Sequence, residues 1–421
     1  MFFDAKYVII GGGIAGTAAA ETLRKAEPTA RIIIVSDEPY RLYSRVLLTK
    51  PNFFLEKIPF ERIFLKDEKW YQDQRIELWR GRRAVKIDTK EKVVDLDNGE
   101  QLRYEKLLLA VGGSPRKLSV PGADKQGVHY LRTIDETKQI IEKVKHAKRG
   151  VAIGGGIIGF EMAEMMELAG MKATFVIQKP HYRIGILGED AAKAVEVAME
   201  EKGVRILREK ETVEILGDDS VTGILFKDGS KIECDFVLIG IGTVTPAVEM
   251  LKAAGVDINR GIKANEYLET NVKDVWTAGD SAEYYDTIIG DTLCSGNWAN
   301  AQAQGQTAAR NMAGQKEKYE YVSFFTTHGF GMAMTYVGDV RQDVKDRSVV
   351  ARGEAKNPKH GRIVIEGNRI VGALFFDSSK EVNAICKLIE NKTDISRKKA
   401  ELADTSVDLL SLVPAQHVRG K

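Results

Sequence analysis

Two glycine-rich stretches decide the fold of this chain: Gly11-Gly12-Gly13-Ile14-Ala15-Gly16 and Gly154-Gly155-Gly156-Ile157-Ile158-Gly159. Each follows a short apolar run, Tyr7-Val8-Ile9-Ile10 in the first case and Val151-Ala152-Ile153 in the second. The order strand, Gly-x-Gly-x-x-Gly turn and helix is typical of a dinucleotide-binding βαβ unit. The backbone can approach a pyrophosphate there, and the helix N-terminus meets its charge. Two such units predict two dinucleotides with electron transfer between them.

The sequence after the first stretch supports this interpretation. A predicted helix, Thr17 to Lys25, and a short strand, Arg31 to Val35, lead to Ser36-Asp37-Glu38. Asp37 lies 21 residues after Gly16, where a carboxylate accepts hydrogen bonds from an adenosine ribose. We favour Asp37 because it comes first after the strand, and Glu38 is the neighbouring alternative.

The second unit differs at the same position. Its predicted strand, Lys172 to Ile177, is followed by Gln178, so no carboxylate is placed there to repel a 2′-phosphate. Lys179 and Arg183 in the same loop could attract one. The sequence therefore permits NADPH, but it equally permits NADH with Gln178 on the ribose and two solvated loop cations.

Composition limits the remaining function classes. The chain has 421 residues, enough for two or three domains, and 62 Lys and Arg against 60 Asp and Glu give a formal charge of +2. This balance gives no argument for nucleic-acid or acidic-membrane binding. No apolar run reaches the length of a spanning helix and no signal-peptide pattern begins the chain, so we expect a soluble, cytoplasmic protein without a membrane partner.

Cysteine usage removes one redox chemistry. Cys234, Cys294 and Cys386 are far apart in the sequence, without a C-x-x-C or C-x4-C pair. Neither an internal dithiol relay nor a metal site is predicted. We interpret Cys234 and Cys386 as packing residues and Cys294, in a glycine-containing loop, as a bystander.

The predicted fold class is α/β, with two Rossmann-like dinucleotide-binding domains and a C-terminal α+β domain. Residues 1–115 and 241–319 form the first, discontinuous domain in this prediction, and residues 116–240 form the second. Residues 320–421 lack a glycine fingerprint and form the third, an interface domain and candidate dimer surface.

Further motifs connect the chain to a known family. Leu42-Tyr43-Ser44-Arg45-Val46-Leu47-Leu48-Thr49-Lys50 is similar to a P-Y-x-R-x-x-L-S-K segment, and Leu109 to Arg116 is similar to an A-T-G-x-x-P-R hinge. Thr277-Ala278-Gly279-Asp280 and the segment Asn297 to Gly305 complete the set. Over essentially its full length the chain resembles the flavoprotein reductases with two dinucleotide folds. Within them it resembles the ferredoxin and rubredoxin reductase group, which includes apoptosis-inducing factor and the flavin module of nitrite reductase.

The resemblance implies FAD in the first unit and NAD(P)H in the second. With the glycine fingerprints, the predicted cofactor-binding residues are Gly11, Gly13, Ile14, Ala15, Gly16, Asp37, Glu38, Arg45, Lys50, Val85, Ala110, Val111, Gly112, Arg116, Gly154, Gly156, Ile157, Ile158, Gly159, Glu161, Gln178, Lys179, Arg183, Gly242, Gly279, Asp280, Asn297 and Trp298. Asp280 would bind the ribityl chain, and it could serve as a helix N-cap at the same time. Arg45 would donate to the FAD pyrophosphate, against the alternative of a surface ion pair.

Lys50 and Glu161 are the predicted catalytic pair, because their counterparts pair near the reacting flavin edge in the family that the chain resembles. A buried Lys–Glu pair contributes little to stability, so function explains it better. Its ammonium could stabilise negative charge on a flavin that receives hydride. Trp298 is expected to form a wall beside the flavin or nicotinamide ring, with core packing as the alternative.

The chain departs from the family pattern without losing a catalytic group. Val111 replaces the usual threonine of the hinge, and Val46 replaces proline after Arg45. The prediction is an FAD-dependent NAD(P)H oxidoreductase that passes hydride from nicotinamide to flavin and then electrons to a small ferredoxin- or rubredoxin-type protein. The alternatives are an NAD(P)H oxidase, an electron-feeding subunit of a larger complex, and a flavin-dependent interaction protein like apoptosis-inducing factor.

Overall fold

The computed structural model describes residues 1–355, 357 and 359–414. Its strands, in chain order, are β1 Phe2–Ile10, β2 Ile32–Ser36, β3 Ile76–Arg80, β4 Ala84–Asp88, β5 Val93–Leu96, β6 Gln101–Leu109, β7 Ser114–Pro115, β8 Val128–His129, β9 Arg149–Ile153, β10 Lys172–Val176, β11 Arg205–Leu207, β12 Thr212–Leu216, β13 Gly223–Phe226, β14 Lys231–Glu233, β15 Phe236–Ile239, β16 Thr243–Val244, β17 Ile262–Ala264, β18 Val275–Thr277, β19 Ala282–Asp286, β20 Asp291–Leu293, β21 Phe324–Gly329, β22 Met332–Gly338, β23 Arg347–Arg352, β24 His360–Glu366 and β25 Arg369–Phe376.

The helices begin at glycine turns, polar caps or tight loops. They are α1 Ile14–Ala26, α2 Pro51–Phe54, α3 Glu68–Asp73, α4 Ile134–Val144, α5 Ile157–Leu168, α6 Ile184–Leu187, α7 Glu189–Glu201, α8 Val248–Ala253, α9 Trp298–Met312, α10 Val382–Glu390 and α11 Lys399–Ala403, with single 3₁₀ turns at Arg45–Thr49, Phe60–Ile63 and Leu409–Leu412. Thr133 and Glu136 form a capping box at the start of α4, which satisfies two N–H groups of its first turn.

The first compact unit comprises residues 1–45, 60–114 and 243–321. Its sheet has the parallel order β3-β2-β1-β6, β18 also pairs with β6, and β5 and β4 continue from β6 in antiparallel fashion. Successive residues of β1 enter different cores: Tyr7 and Ile9 belong to one buried cluster, Val8 and Ile10 to the other. This alternation buries both faces of the sheet, as expected for parallel strands whose sequences are continuous apolar runs.

The second compact unit comprises residues 46–59, 115–242 and the described part of 322–421. A parallel sheet has the order β11-β10-β9-β15-β8, and the antiparallel sheet β12-β13-β14 packs against one of its faces. The carboxyl ends of β9, β10 and β15 lie together at one edge because these strands run parallel and in register. Ligands of such sheets bind at this edge.

The C-terminal part of the second unit is an antiparallel sheet with the order β21-β22-β25-β24-β23, covered by α10. Arg352 at the end of β23 fastens the chain that follows α10: its guanidinium pairs with Glu381 and donates to the carbonyl oxygens of Leu402, Asp404 and Val407. A fully buried arginine whose donors are satisfied in this way holds residues 402–407 against the end of β23.

Candidate active site

The first glycine turn forms a cradle whose open position is Gly13. Gly11 has φ +124°, and a Cβ atom there would lie 2.0 Å from the carbonyl oxygen of Ala110. A Cβ on Gly16 would lie 2.0 Å from the carbonyl oxygen of Gly11, so neither position accepts a side chain. A Cβ on Gly13 would meet no atom within 4 Å.

Helix α1 begins at this open position without a side-chain cap and without an acidic residue in its first turn, which includes Ile14 and Ala15. Its first N–H groups therefore have no intrahelical acceptor and no competing carboxylate. Together with the positive end of the helix dipole they fit the pyrophosphate of a dinucleotide. Helix α1 thus starts three residues before the stretch predicted from sequence.

The hinge motif lies beside this cradle. The Ala110 N–H donates to the carbonyl oxygen of Ile10 over 2.9 Å, which brings the ends of β1 and β6 together. Val111 is half-buried, and Gly112 has φ +67°. The end of β6 therefore turns sharply over the glycine turn, where the sequence places a cofactor contact.

The Gly279–Asp280 motif and α9 reach the same cradle. The Gly279 N–H donates to Oε1 of Gln304 over 2.8 Å, and a Cβ on Gly305 would lie 2.2 Å from the carbonyl oxygen of Ala15. Gly305 is thus the residue that lets α9 approach the first turn of α1. Asp280 is half-buried in a turn and caps none of the helices in the described residues, so an N-cap role does not account for it.

Asn297 and Trp298 open α9. The Asn297 side chain accepts from the N–H of Asn300 over 2.9 Å and caps the helix. Trp298 is half-buried and does not belong to the buried core of the described residues. Simple core packing therefore does not explain this tryptophan, and a contact with a ring of a cofactor stays a prediction.

The predicted ribose and pyrophosphate residues divide into two groups. Asp37 is exposed directly after β2. The Glu38 carboxylate accepts from the Tyr43 hydroxyl over 2.5 Å and forms an ion pair with Arg45. Arg45 thus has an acidic partner in this structure, as the ion-pair alternative predicts. Its role toward a pyrophosphate stays a prediction. Val85, at a bulge of β4, is 49% exposed.

The second glycine turn repeats the first at the carboxyl edge of the second sheet. Gly154 has φ +117°, and a Cβ there would lie 2.3 Å from the carbonyl oxygen of Gly240. A Cβ on Gly159 would lie 2.2 Å from the carbonyl oxygen of Gly154. A Cβ on Gly156 would have only an ordinary contact at 3.6 Å. Helix α5 starts there with Ile157 and Ile158, again without a side-chain cap or an acidic first turn.

A cavity of about 570 Å³ opens over this second cradle. Of the described residues that line it, five carry a basic side chain and none is a carboxylate. The lining residues are Arg116, Leu118, Ile153, Gly154, Gly155, Gly156, Val176, Ile177, Gln178, Lys179, His181, Arg183, Lys210, Thr212, Gly240, Ile241 and Gly242. The structure thus brings the predicted residues Arg116, Gln178, Lys179, Arg183 and Gly242 together around one space, and its size and charge fit a dinucleotide.

Sequence reasoning missed three polar residues of this cavity, His181, Lys210 and Thr212. The N–H of Lys210 donates to the carbonyl oxygen of Ile177 over 3.0 Å, so the loop after β11 runs beside the end of β10. Lys210 itself pairs with Asp228 and donates to Ser230 over 2.9 Å. Thr212 is 7% exposed, and its hydroxyl has no hydrogen-bond partner among the described residues. No local pattern predicts this approach, because it depends on the pairing of distant segments.

Lys50 and Glu161 form an ion pair inside the second unit, as the sequence predicts. Lys50 Nζ lies 2.5 Å from Glu161 Oε1, and the two side chains are 24% and 5% exposed. Lys50 is the N-cap residue of α2, and Glu161 is the fifth residue of α5, one turn beyond the glycine cradle. The Thr327 hydroxyl, on β21, donates to the same Glu161 oxygen over 2.6 Å.

A second carboxylate lies one turn further along α5. Glu164 accepts from the N–H of Phe330 over 2.5 Å. Burial, and then the neighbouring negative charge of Glu161, raise the pKa of Glu164 above its usual value, and the ammonium of Lys50 opposes this shift.

The three cysteines provide no redox pair. Cys234, Cys294 and Cys386 are free thiols, and burial raises the pKa of Cys234 to about 12 and that of Cys386 to about 11. These thiols are poor nucleophiles at neutral pH. The described residues also contain no group of three or more His, Cys, Asp or Glu side chains placed to hold a metal ion.

Comparisons with known proteins agree with this geometry. Residues 5–305 match the family model described as pyridine nucleotide-disulphide oxidoreductase, and residues 324–413 match the reductase C-terminal model. Nitrite reductase [NAD(P)H] of Bacillus subtilis is 32% identical over 92% of this chain and 48% of its own length. The chain therefore spans about half the length of this curated relative.

Two further relatives match over nearly their whole length. The ferredoxin–NAD(+) reductase component of the biphenyl dioxygenase system of Paraburkholderia xenovorans is 26% identical over 97% of this chain and 98% of its own. The crystal structure of the ferredoxin reductase for the CYP199A2 system of Rhodopseudomonas palustris superimposes with a TM-score of 0.91 at 27% identity, covering 97% of this chain and 100% of that one. The predicted α/β fold class and family are confirmed.

No helix among the described residues has the length and apolar character needed to cross a membrane. Members of the matched family use FAD and NAD(P)H, and the two cradles and the cavity fit these two dinucleotides. On the match over residues 5–305, the chain belongs to the pyridine nucleotide-disulphide oxidoreductase family.

Proposed function

We propose that this protein oxidises NAD(P)H and transfers the electrons through FAD to an external one-electron carrier, of the small iron–sulfur or rubredoxin type. The observation that carries the proposal is the combination of two open glycine cradles with three free cysteines that form no disulfide. FAD, when bound, accepts a hydride from the nicotinamide and can release electrons singly. Because the chain offers no dithiol to receive these electrons, they pass directly to the carrier. Each NAD(P)H then reduces two carrier molecules and releases one proton.

Lys50 and Glu161 supply the electrostatics of the hydride step in this proposal. A Lys–Glu pair with one partner nearly buried gains little stability, because desolvation offsets the attraction. The pair also lies on the helix that the nucleotide cradle begins. An ammonium held in place without reorganisation can stabilise negative charge that develops as hydride arrives. Changing Lys50 to Met should therefore slow flavin reduction while FAD remains bound.

We also propose that NADPH binds more tightly than NADH. Gln178 follows β10 at the ribose position, and Lys179 and Lys210 lie on two adjoining segments, since the Glu209 N–H donates to the carbonyl oxygen of Lys179 over 3.4 Å. A 2′-phosphate carries up to two negative charges, and no carboxylate lines the described part of the cavity to oppose it. The unpartnered hydroxyl of Thr212 supplies a further donor.

An anaerobic titration tests both proposals. The purified yellow protein is titrated with NADPH and with NADH while the flavin absorbance is followed, first for the wild type and then for Lys179→Gln and Lys210→Gln. Each variant should bind NADPH about tenfold more weakly and NADH within twofold of the wild type. Lys172→Gln is the matched control, since Lys172 begins β10 at the opposite edge of the sheet. Equal losses for both nucleotides would contradict the NADPH preference, and no bleaching by either would favour the interaction-protein alternative.

A second candidate function follows from the partial match to nitrite reductase. The chain covers 48% of that relative, which is consistent with a flavin module that feeds a separate catalytic chain. Anaerobic turnover with NADPH and a purified [2Fe–2S] ferredoxin or a rubredoxin separates the two. Rapid reduction of either carrier supports the reductase. Slow reduction of both, with a redox-active protein retained by the tagged chain in its native host, supports the module, and rapid oxygen uptake alone supports an oxidase.

A further inference from the structure

The hairpin β21–β22 is fitted tightly to helix α5 in the second unit. A Cβ on Gly329 would lie 2.4 Å from the ring of Phe160, so only glycine allows this approach. Phe330 follows with φ +53°, which is unusual for a residue with a side chain. Its ring packs against that of Phe160 with 5.1 Å between centroids. A strained turn persists where the surrounding contacts determine it.

Two hydrogen bonds connect the same hairpin to α5. The Thr327 hydroxyl donates to Glu161 over 2.6 Å, and the Phe330 N–H donates to Glu164 over 2.5 Å. Glu161 and Glu164 are three residues apart and therefore lie on one face of the helix. The hairpin thus determines the orientation of both carboxylates on that face.

Thr327 acts on the oxygen that holds Lys50. Both Lys50 Nζ and the Thr327 hydroxyl contact Oε1 of Glu161, and Thr327 is 2% exposed. The hydroxyl removes the rotational freedom by which Glu161 could turn Oε1 away from the ammonium. Resting on the proposed function, we propose that Thr327 is a positioning residue for hydride transfer, which fixes Glu161 and through it the ammonium of Lys50.

The geometry distinguishes this role from simple packing. A hydrogen bond from a hydroxyl to a carboxylate is shorter and stronger than one between neutral groups. Thr335, on the same hairpin and 3% exposed, instead meets the hydroxyl of Thr326 over 2.9 Å. Both threonines are buried in one hairpin, but only Thr327 contacts a charged group. Thr335 is therefore a matched control for the structural cost of losing a buried hydroxyl.

The kinetic test compares Thr327→Val, Thr327→Ser and Thr335→Val by rapid mixing with saturating NADPH. Thr327→Val should reduce its flavin about tenfold more slowly, since a lost hydrogen bond to a charged group changes a barrier by about that factor. Its nucleotide affinity should remain within twofold. Thr327→Ser should restore the rate, and Thr335→Val should leave it unchanged. In a Glu161→Gln background, Thr327→Val should have less than a twofold effect.

A chemical measurement tests the position of the ammonium without turnover. An amine-reactive reagent, trinitrobenzenesulfonate, is reacted with the flavoprotein in the absence of nucleotide, and the labelling of Lys50 is compared with that of the exposed Lys25 by peptide mass mapping. A loosened ion pair should let Lys50 react severalfold faster in Thr327→Val and not in Thr335→Val. Unchanged labelling of Lys50 in Thr327→Val would overturn the inference, even if the wild-type protein proved to have no reductase activity. A normal flavin reduction rate in that variant would overturn it as well, while leaving the proposed reductase intact.

Discussion

Alanine at the two open glycines, Gly13 and Gly156, should separate the two cofactor sites. Gly11, Gly16, Gly154 and Gly159 cannot be tested in this way, because a Cβ there would lie 2.0 to 2.3 Å from a backbone carbonyl oxygen and disturb the fold itself. Gly13 and Gly156 are different: a Cβ would meet no atom within 4 Å at Gly13, and only one carbonyl oxygen at 3.6 Å at Gly156. Their backbones have φ −75° and −92°, which alanine adopts without strain.

The expected magnitude follows from this space. Alanine is a weaker N-cap than glycine, which costs each ligand-free variant up to about 1 kcal/mol, equally at Gly13 and Gly156. A methyl group placed where a pyrophosphate must touch the backbone costs about 1–3 kcal/mol of binding free energy. Gly13→Ala should therefore bind FAD about 10- to 100-fold more weakly with normal nucleotide affinity, and Gly156→Ala should do the reverse.

The assay measures FAD content and affinity by fluorescence of the released flavin, and nucleotide affinity by equilibrium titration of the reconstituted protein. The thermal midpoint of the FAD-free protein serves as the control for folding. Normal FAD affinity in Gly13→Ala, or a loss of FAD instead of nucleotide in Gly156→Ala, would refute the assignment of the two cradles. Equal loss of both ligands in both variants would refute the argument from open space.

Three further predictions test packing and charge. Gly305→Ala should lower the thermal midpoint and the retained FAD, because its Cβ would lie 2.2 Å from the carbonyl oxygen of Ala15, and overpacking costs about 1–3 kcal/mol. Burial lowers the pKa of His129 in the folded protein to about 4, whereas the pKa of an unfolded histidine is about 6.5. Below about pH 6.5 the unfolded chain therefore binds a proton that the folded protein does not, and the free energy of unfolding should fall by about 2 kcal/mol between pH 8 and pH 5. His129→Phe should lack this loss in denaturant titrations. The pKa of Glu164 in the folded protein is raised above its ordinary value, so the free energy of unfolding should fall as pH rises from the ordinary pKa through the raised one. Glu164→Gln, whose amide oxygen still accepts from the Phe330 N–H, should remove this fall when the thermal midpoint is measured against pH.

The sequence allowed prediction of the parts that depend on local patterns. The two fingerprints with their strands, Ile32–Ser36 and Lys172–Val176, follow from glycine spacing and apolar runs, and the pair of Lys50 and Glu161 followed from the family resemblance. The fingerprints and strands could be predicted because each depends on the residues of one short segment.

The features that sequence reasoning missed depend on contacts between distant segments. Lys210 reaches the nucleotide cavity because its loop pairs with residues 177–179, and Thr327 reaches Glu161 across 166 positions of the chain. A lysine after a short strand and a threonine in a strand are common and carry no local signal. Asp280 and Arg45 lie in motifs that the sequence identified, and their contacts with a cofactor stay predictions.

The origin of the charged cluster constrains which segments of this protein can change independently. Its members come from three stretches of chain: Lys50 from residues 46–59, Glu161 from the second dinucleotide-binding segment, and Thr327 from the C-terminal sheet, all in one compact unit. An exchange limited to residues 116–240 would transfer Glu161 without the two groups that orient it. Because an unpartnered buried carboxylate costs several kcal/mol, such an exchange should destabilise the protein unless all three stretches change together. On the proposed function, the C-terminal sheet contributes a positioning residue to the pair of Lys50 and Glu161, so changes in its first hairpin should alter the hydride-transfer rate and leave nucleotide affinity nearly unchanged.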